Sequence, residues 1–271
     1  MRGVLAVSRV TLMEGLRNRA LYGIFILALL VMGVNVMLAG FFMQDIGKVA
    51  VDLNLSALSF CGLLLVFFVS INLLAKDIDR KTVHVVLTQP LSRTSYIAGK
   101  FLGLCAVLLC AELLLMVLAS GTVAVLRGLY GQYFLEFSWF AFSQGAFFVL
   151  LKLWLLCAFV VLFSTLTSSS FVALIFSVSV YVIGESIEEV VFYLKSSAGF
   201  DFLPLPEFFI VIVDWLSYVI PNLSVFDVAQ QAAHGQSLTG AAFWFPIVYA
   251  LVYSVALLFL ASAIFARREF N

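Results

Sequence analysis

Three glutamates, Glu185, Glu188 and Glu189, are spaced so that Glu185 shares a helix face with Glu188 or with Glu189. Carboxylates placed in that way hold a cation or a cationic substrate, or they solvate a helix end. Two further ionisable residues, Glu112 and Lys152, lie inside long apolar runs. A charge in hydrocarbon costs at least about 2.5–3.5 kcal/mol even on a lenient insertion scale. An ion pair removes much of that cost. At about 1.5 Å of helical rise per residue, Glu112 stands about 18 Å and Lys152 about 22 Å from the same surface. Pairing of Glu112 with Lys152, or a polar cavity faced by both, is the expectation. The alternative has Lys152 snorkelling to the outer interface and Glu112 protonated or facing water.

Other chemistry is excluded by what the chain lacks. No GxxxxGK[ST] loop occurs, so there is no phosphate cradle of that kind and no ATPase is expected in this chain. No HExxH or GxSxG occurs either. Cys61, Cys105, Cys110 and Cys157 all fall in apolar runs without a CxxC pair, and His84 and His234 are far apart. Neither a metal site nor a disulfide framework is expected. Catalytic residues are expected to be absent. The formal net charge of zero points to no nucleic-acid partner.

The elements that carry these residues follow from composition. Hydrophobic residues make up 64% of the chain and charged residues 11%, against about 45–50% and about 25% in soluble domains. The chain reads as an all-α integral membrane protein, with residues 1–271 forming one transmembrane domain. Six apolar runs reach the roughly 20 residues that a crossing needs, near 20–41, 56–75, 101–126, 144–166, 171–192 and 243–265. The link Thr165–Ser170 is short enough to make spans four and five a tight antiparallel hairpin. Residues 1–19 mix arginines with apolar residues and read as an amphipathic surface helix or as a plain basic flank. The first apolar run is too long for a signal-peptide core and reads as an uncleaved span. Phe208–Ile220 carries Asp214 and is bounded by Pro206 and Pro221; it is too short to cross and reads as an interfacial or re-entrant helix. Taking it as a seventh span would break the charge pattern.

That pattern sets orientation. With the N-terminus inside, cytoplasmic segments hold Arg2, Arg9, Arg17, Arg19, Lys76, Arg80, Lys81, Arg93, Lys100, Arg267 and Arg268. Outer segments hold Lys48, Arg127 and Lys195, and the outer segment 193–242 is acidic. Both termini and the 76–100 loop are expected in the cytoplasm, with the protein in the cell's inner membrane.

The 76–100 loop is a polar insert between apolar runs. Thr82–Leu87 reads as a short surface helix, Gln89–Pro90 interrupts it, and Ser92 caps a helix that starts near Thr94 and runs into span three. Its basic residues suit anionic lipid headgroups. The order Asp77, Thr82, Leu87, Pro90, Ser92–Arg93, Gly99–Lys100 also resembles the first cytoplasmic loop of type-2 ABC transporter permeases. Glu14–Arg19 resembles that family's elbow helix, Pro221–Asn222 with Phe226 its outer segment before span six, and Arg267–Phe270 its C-terminal end. Asp77 stands where glutamate is commoner, and Lys81 where glycine often precedes the threonine.

The resemblance implies a permease subunit that pairs with a second copy or a paralogue and with a separate cytoplasmic ABC ATPase. ATP and magnesium would be bound by that ATPase, leaving this chain without a cofactor. Asp77, Arg80, Lys81, Thr82, Pro90 and Arg93 would contact the ATPase or shape the coupling loop, and Arg17 and Arg19 would serve the elbow helix. The function implied is export of a substrate the residues do not identify. The alternative is a mechanical or assembly subunit acting on an extracytoplasmic partner through segment 193–242. A membrane-embedded enzyme would need convergent polar residues in the spans, and there are too few.

Overall fold

The computed structural model describes residues 2–39, 41, 45–73, 92–167, 169–195, 208, 215 and 220–267. Most of the expected coupling loop, and the 208–220 piece apart from three of its residues, lie outside them. Helix α1, Arg2–Leu16, stops at a bend where the Asn18 side chain accepts from Ala20 N at 3.0 Å and starts α2, Arg19–Ala39. Helix α3, Ile46–Leu64, continues through a π-helical stretch, Leu65–Ser70, to Leu73. Helix α4, Arg93–Leu129, opens at Ser92, whose hydroxyl accepts from Ser95 N at 3.2 Å, the cap foreseen from the sequence. Helix α5, Trp139–Leu166, is capped likewise by Ser138. Then follow α6, Ser170–Lys195, the short α7, Ala229–Ala233, and α8, Ala241–Arg267.

Six of these helices, α2 to α6 and α8, are long and apolar enough to cross a membrane. No strand occurs among the described residues. Two spans run further than their hydropathy indicates. Span two starts at Ile46, ten residues before position 56, where polar residues near its start have partners both nearby and on another helix. Lys48 pairs with Asp45 at 3.7 Å. Asn54 donates to the Ala50 carbonyl at 2.7 Å and accepts from the Thr122 hydroxyl at 2.6 Å. Span three has 37 residues, a length of about 55 Å against about 30 Å of hydrocarbon, so α4 stands well beyond the core.

Helix α5 is apolar all round, which suits a helix enclosed by others. It packs against α3, α4, α6 and α8, and Phe148, Leu153, Leu155, Cys157 and Val160 on it are wholly buried. Helices α2, α6 and α8 instead turn large apolar side chains outward, among them Ile26, Met37, Phe171, Val252 and Phe259. In a bilayer, lipid tails or another apolar chain cover such faces.

Helix α1 lies along the first turns of α4. The contact is close because α4 presents Gly99 and Gly103, a small-xxx-small pair. A Cβ at Gly103 would come 2.8 Å from the Ser8 carbonyl oxygen, and one at Gly99 would come 2.9 Å from that of Val4. Those neighbours are backbone and cannot swing aside. Gly103→Val is therefore expected to destabilise the protein by about 1–3 kcal/mol, the usual range for forced overpacking. Gly121→Val, where a Cβ meets nothing within 4 Å, should leave stability unchanged. Thermal melting of the purified protein in detergent checks both; equal melting temperatures for the two variants would contradict a tight α1–α4 seam.

Candidate functional site

Two groups of polar side chains stand out, one at the end of the bundle beside the expected coupling loop and one from mid-helix toward the opposite end. The first surrounds the base of the expected coupling loop. Lys100, only 5% exposed, lies in the third turn of α4. Its ammonium donates to the Leu73 carbonyl at 3.2 Å, at the end of α3, and lies 3.9 Å from Glu14 of α1. Arg93, at the start of α4, donates to the carbonyls of Phe265 (3.3 Å) and Ala266 (3.0 Å) in the last turn of α8. Carbonyls there have no partner within their own helix, so a cation is a natural cap. The Tyr96 ring stacks on that of Phe265 at 5.8 Å. The chain therefore leaves α3 and re-enters α4 at points tied to α1 and α8.

Of the residues assigned to coupling, Asp77, Arg80, Lys81, Thr82 and Pro90 lie outside the described residues. Arg93 is engaged within the chain. Arg17 and Arg19 are exposed at the α1–α2 bend. Sequence reasoning passed over Lys100 as an anchor and Glu14 as its partner. The available signal was a lysine directly after Gly99, one helical turn from the next small residue, Gly103.

The second group corrects an expectation. Lys152 does not pair with Glu112. Its ammonium bonds Glu185 at 2.8 Å. The short α5–α6 link explains the choice. Positions 152 and 185 are sixteen and seventeen residues from position 168, so in a tight antiparallel hairpin they meet at one depth. Depth along α4 matched as well, but the Glu112 side chain turns toward α3 instead. Its carboxyl lies over Gly62, where a Cβ would collide with it, and neither carboxyl oxygen has a hydrogen-bond partner among the described residues.

The glutamate trio divides by role. Glu185 takes Lys152. Glu188 accepts from Asn222 Nδ2 at 2.9 Å and from the Ser224 hydroxyl. With Leu223 N donating to the Gly184 carbonyl at 2.9 Å, this docks the segment before α7 onto α6. Glu189 lines a cavity of about 440 Å³ together with Lys152 and Glu185. That cavity lies between α3, α5 and α6, and residues Phe226–Ala229 form part of its wall. Ser56, Ser59, Tyr181, Ser186 and Asp227 add polar groups to it. Groups of His, Cys, Asp or Glu fit to hold a metal ion are absent among the described residues.

Six spans, a helix before the first of them and a polar loop between spans two and three form one plan. The chain matches the family described as ABC-2 family transporter protein over residues 5–270. It belongs to that family. It is thus a multi-pass membrane permease subunit of an ABC transporter, as the loop's resemblance implied. Membership implies an ABC ATPase partner. No curated protein matches the chain.

In this ABC-2 protein, the Lys152–Glu185 bond is open to a double-mutant test. Lys152→Met and Glu185→Gln should show a coupling energy of about 0.5–3 kcal/mol, as residues in contact do. Lys152→Met and Glu112→Gln should be additive within about 0.5 kcal/mol. Melting of the three single variants, the two double variants and the parent reads the result; coupling to Glu112 equal to that of Glu185 would contradict the observed pairing.

Proposed function

We propose that this chain is the subunit that couples ATP hydrolysis by a separate cytoplasmic ABC ATPase to export across the inner membrane. It works as a pair with a second copy or a paralogue. Both termini and the 76–100 loop face the cytoplasm, the side favoured by the basic residues. ATP and magnesium are bound by the ATPase. The loop residues Asp77, Arg80, Lys81, Thr82 and Pro90 meet that partner, with Arg17 and Arg19 beside them on the elbow.

The observation that carries this reading is the anchoring of both ends of the loop. Lys100 ties the end of α3 to α4 and, through Glu14, to α1. Arg93 ties the start of α4 to the end of α8. A displacement imposed on the loop is then shared by four helices at once. Arg93 accordingly acts as a transmitting clamp within the chain.

The polar cavity favours export over a purely mechanical role on an extracytoplasmic partner. A subunit that only transmits force needs a packed interior, whereas about 440 Å³ of space with an ion pair on its wall is suited to hold a solute.

Asp77→Lys and Arg80→Glu should abolish co-purification of the ATPase while the permease still inserts in the membrane. Lys100→Met should leave the ATPase bound and lower its transport-linked hydrolysis about tenfold or more. That corresponds to losing about 1.4 kcal/mol of coupling. Undiminished ATPase recovery with both loop variants would remove the coupling assignment.

A further inference from the structure

We propose that the cavity between α3, α5 and α6 binds a small organic cation, an ammonium or guanidinium compound. This rests on the permease reading, for it names the class of solute the permease would carry. Charge gives the sign. Lys152 neutralises Glu185 at 2.8 Å. Glu189 and Asp227, on the same wall, have no ion-pair partner among the described residues. Among the described residues the cavity therefore carries two carboxylates without an offsetting cation, and an anion would be repelled.

Hydrogen bonding gives a second and independent indication. Serines within apolar helices ordinarily return their hydroxyl to a carbonyl one turn back. Ser143, Ser177, Ser179 and Ser262 do so here, to Phe140, Ala173, Ile175 and Phe259. Ser56, Ser59, Ser186 and Tyr181 line the cavity and have no hydrogen-bond partner among the described residues. Ser56 and Ser186 are exposed and Ser59 and Tyr181 half-buried, so these hydroxyls face the open space of the cavity. They supply acceptors for N–H groups and a polar surround for a charged head.

Shape gives the third. A volume of about 440 Å³ lies in the range of small-molecule sites. Phe60 and Phe226 bring apolar rings to the wall, and Tyr181 brings a third ring, set edge-on to Phe67 at 6.3 Å. Aromatic faces attract an ammonium or guanidinium group. The aromatic rings, and a volume far beyond what a single ion fills, suit an organic cation. The Lys152–Glu185 bond, near the middle of both helices, sets the depth of the site.

The test uses the permease with its ATPase in lipid nanodiscs and measures binding calorimetrically. The probes are tetraethylammonium, spermidine and, as an anion of similar size, glutarate. At least one of the two cations should bind, and glutarate should not. The double variant Glu189→Gln/Asp227→Asn should weaken cation binding about tenfold or more, as loss of charged partners does. Binding of neither cation overturns the proposal, as does equal binding of glutarate or unweakened binding by the double variant. Recovery of the ATPase separates the two readings. If the ATPase co-purifies and no cation binds, the site assignment alone fails. If the wild-type chain recovers no ATPase, the permease reading fails whatever binds.

Discussion

The Lys152 ammonium lies 2.8 Å from Glu185, between two antiparallel helices whose own link is only a few residues long. In hydrocarbon a lone ammonium or carboxylate is costly, so each is held where the other is. That requirement fixes the register of α6 on α5, and much follows from it. With Glu185 turned inward, Gly184 and Glu188 are set to receive Leu223, Asn222 and Ser224. The docked segment brings Phe226–Ala229 across to the cavity wall. The segment is held from its other side by Tyr249 of α8, whose hydroxyl accepts from Asn222 N at 2.8 Å. One ion pair thus organises α5, α6, the segment before α7 and, through that segment, α8.

Helix α3 connects this end of the bundle to the other. Leu55, Ser56, Ser59, Phe60 and Leu63 line the cavity, and ten residues after Leu63 the Leu73 carbonyl is held by Lys100. Between them lies the π-helical stretch Leu65–Ser70, where the extra residue per turn weakens the regular ladder and marks a place where a helix can change pitch. Phe67 within it contacts Tyr181 of the cavity wall. Under the proposed coupling, a pull on the loop enters α3 at Leu73 and reaches the cavity along a single helix. The Gly99–Gly103 seam holds α1 on α4, so the anchor at Lys100 and Glu14 has a firm base.

Much of this fold was legible because hydrocarbon imposes a one-dimensional signal. Six spans, the tight α5–α6 hairpin and the Ser92 cap can all be read from runs of residues and from local capping chemistry. Helix starts were misread where polar residues are satisfied by neighbours distant in sequence. Asn54 looks like a break in a span until Thr122 of another helix is seen to bond it.

The candidate site was legible in its parts and not in its pairings. Glu112, Lys152 and Glu185 each stood out as charges in or near apolar runs, yet depth alone leaves two acids for one lysine. Helix rotation decides between them, and rotation is set by packing that sequence spacing does not specify. The carboxyl of Glu112 occupies the room that Gly62 leaves on α3, so its direction is decided by a missing side chain on another helix. The same holds for Arg93. Its place beside Pro90 and Ser92 marked it as a residue that contacts the partner or shapes the loop, and the carbonyls at the end of α8 hold it within the chain. Terminal carbonyls are strong acceptors with no sequence signature. A basic residue at a helix start therefore has an intramolecular claimant wherever the fold brings another helix's last turn within reach, and here Arg93 joins α4 to α8.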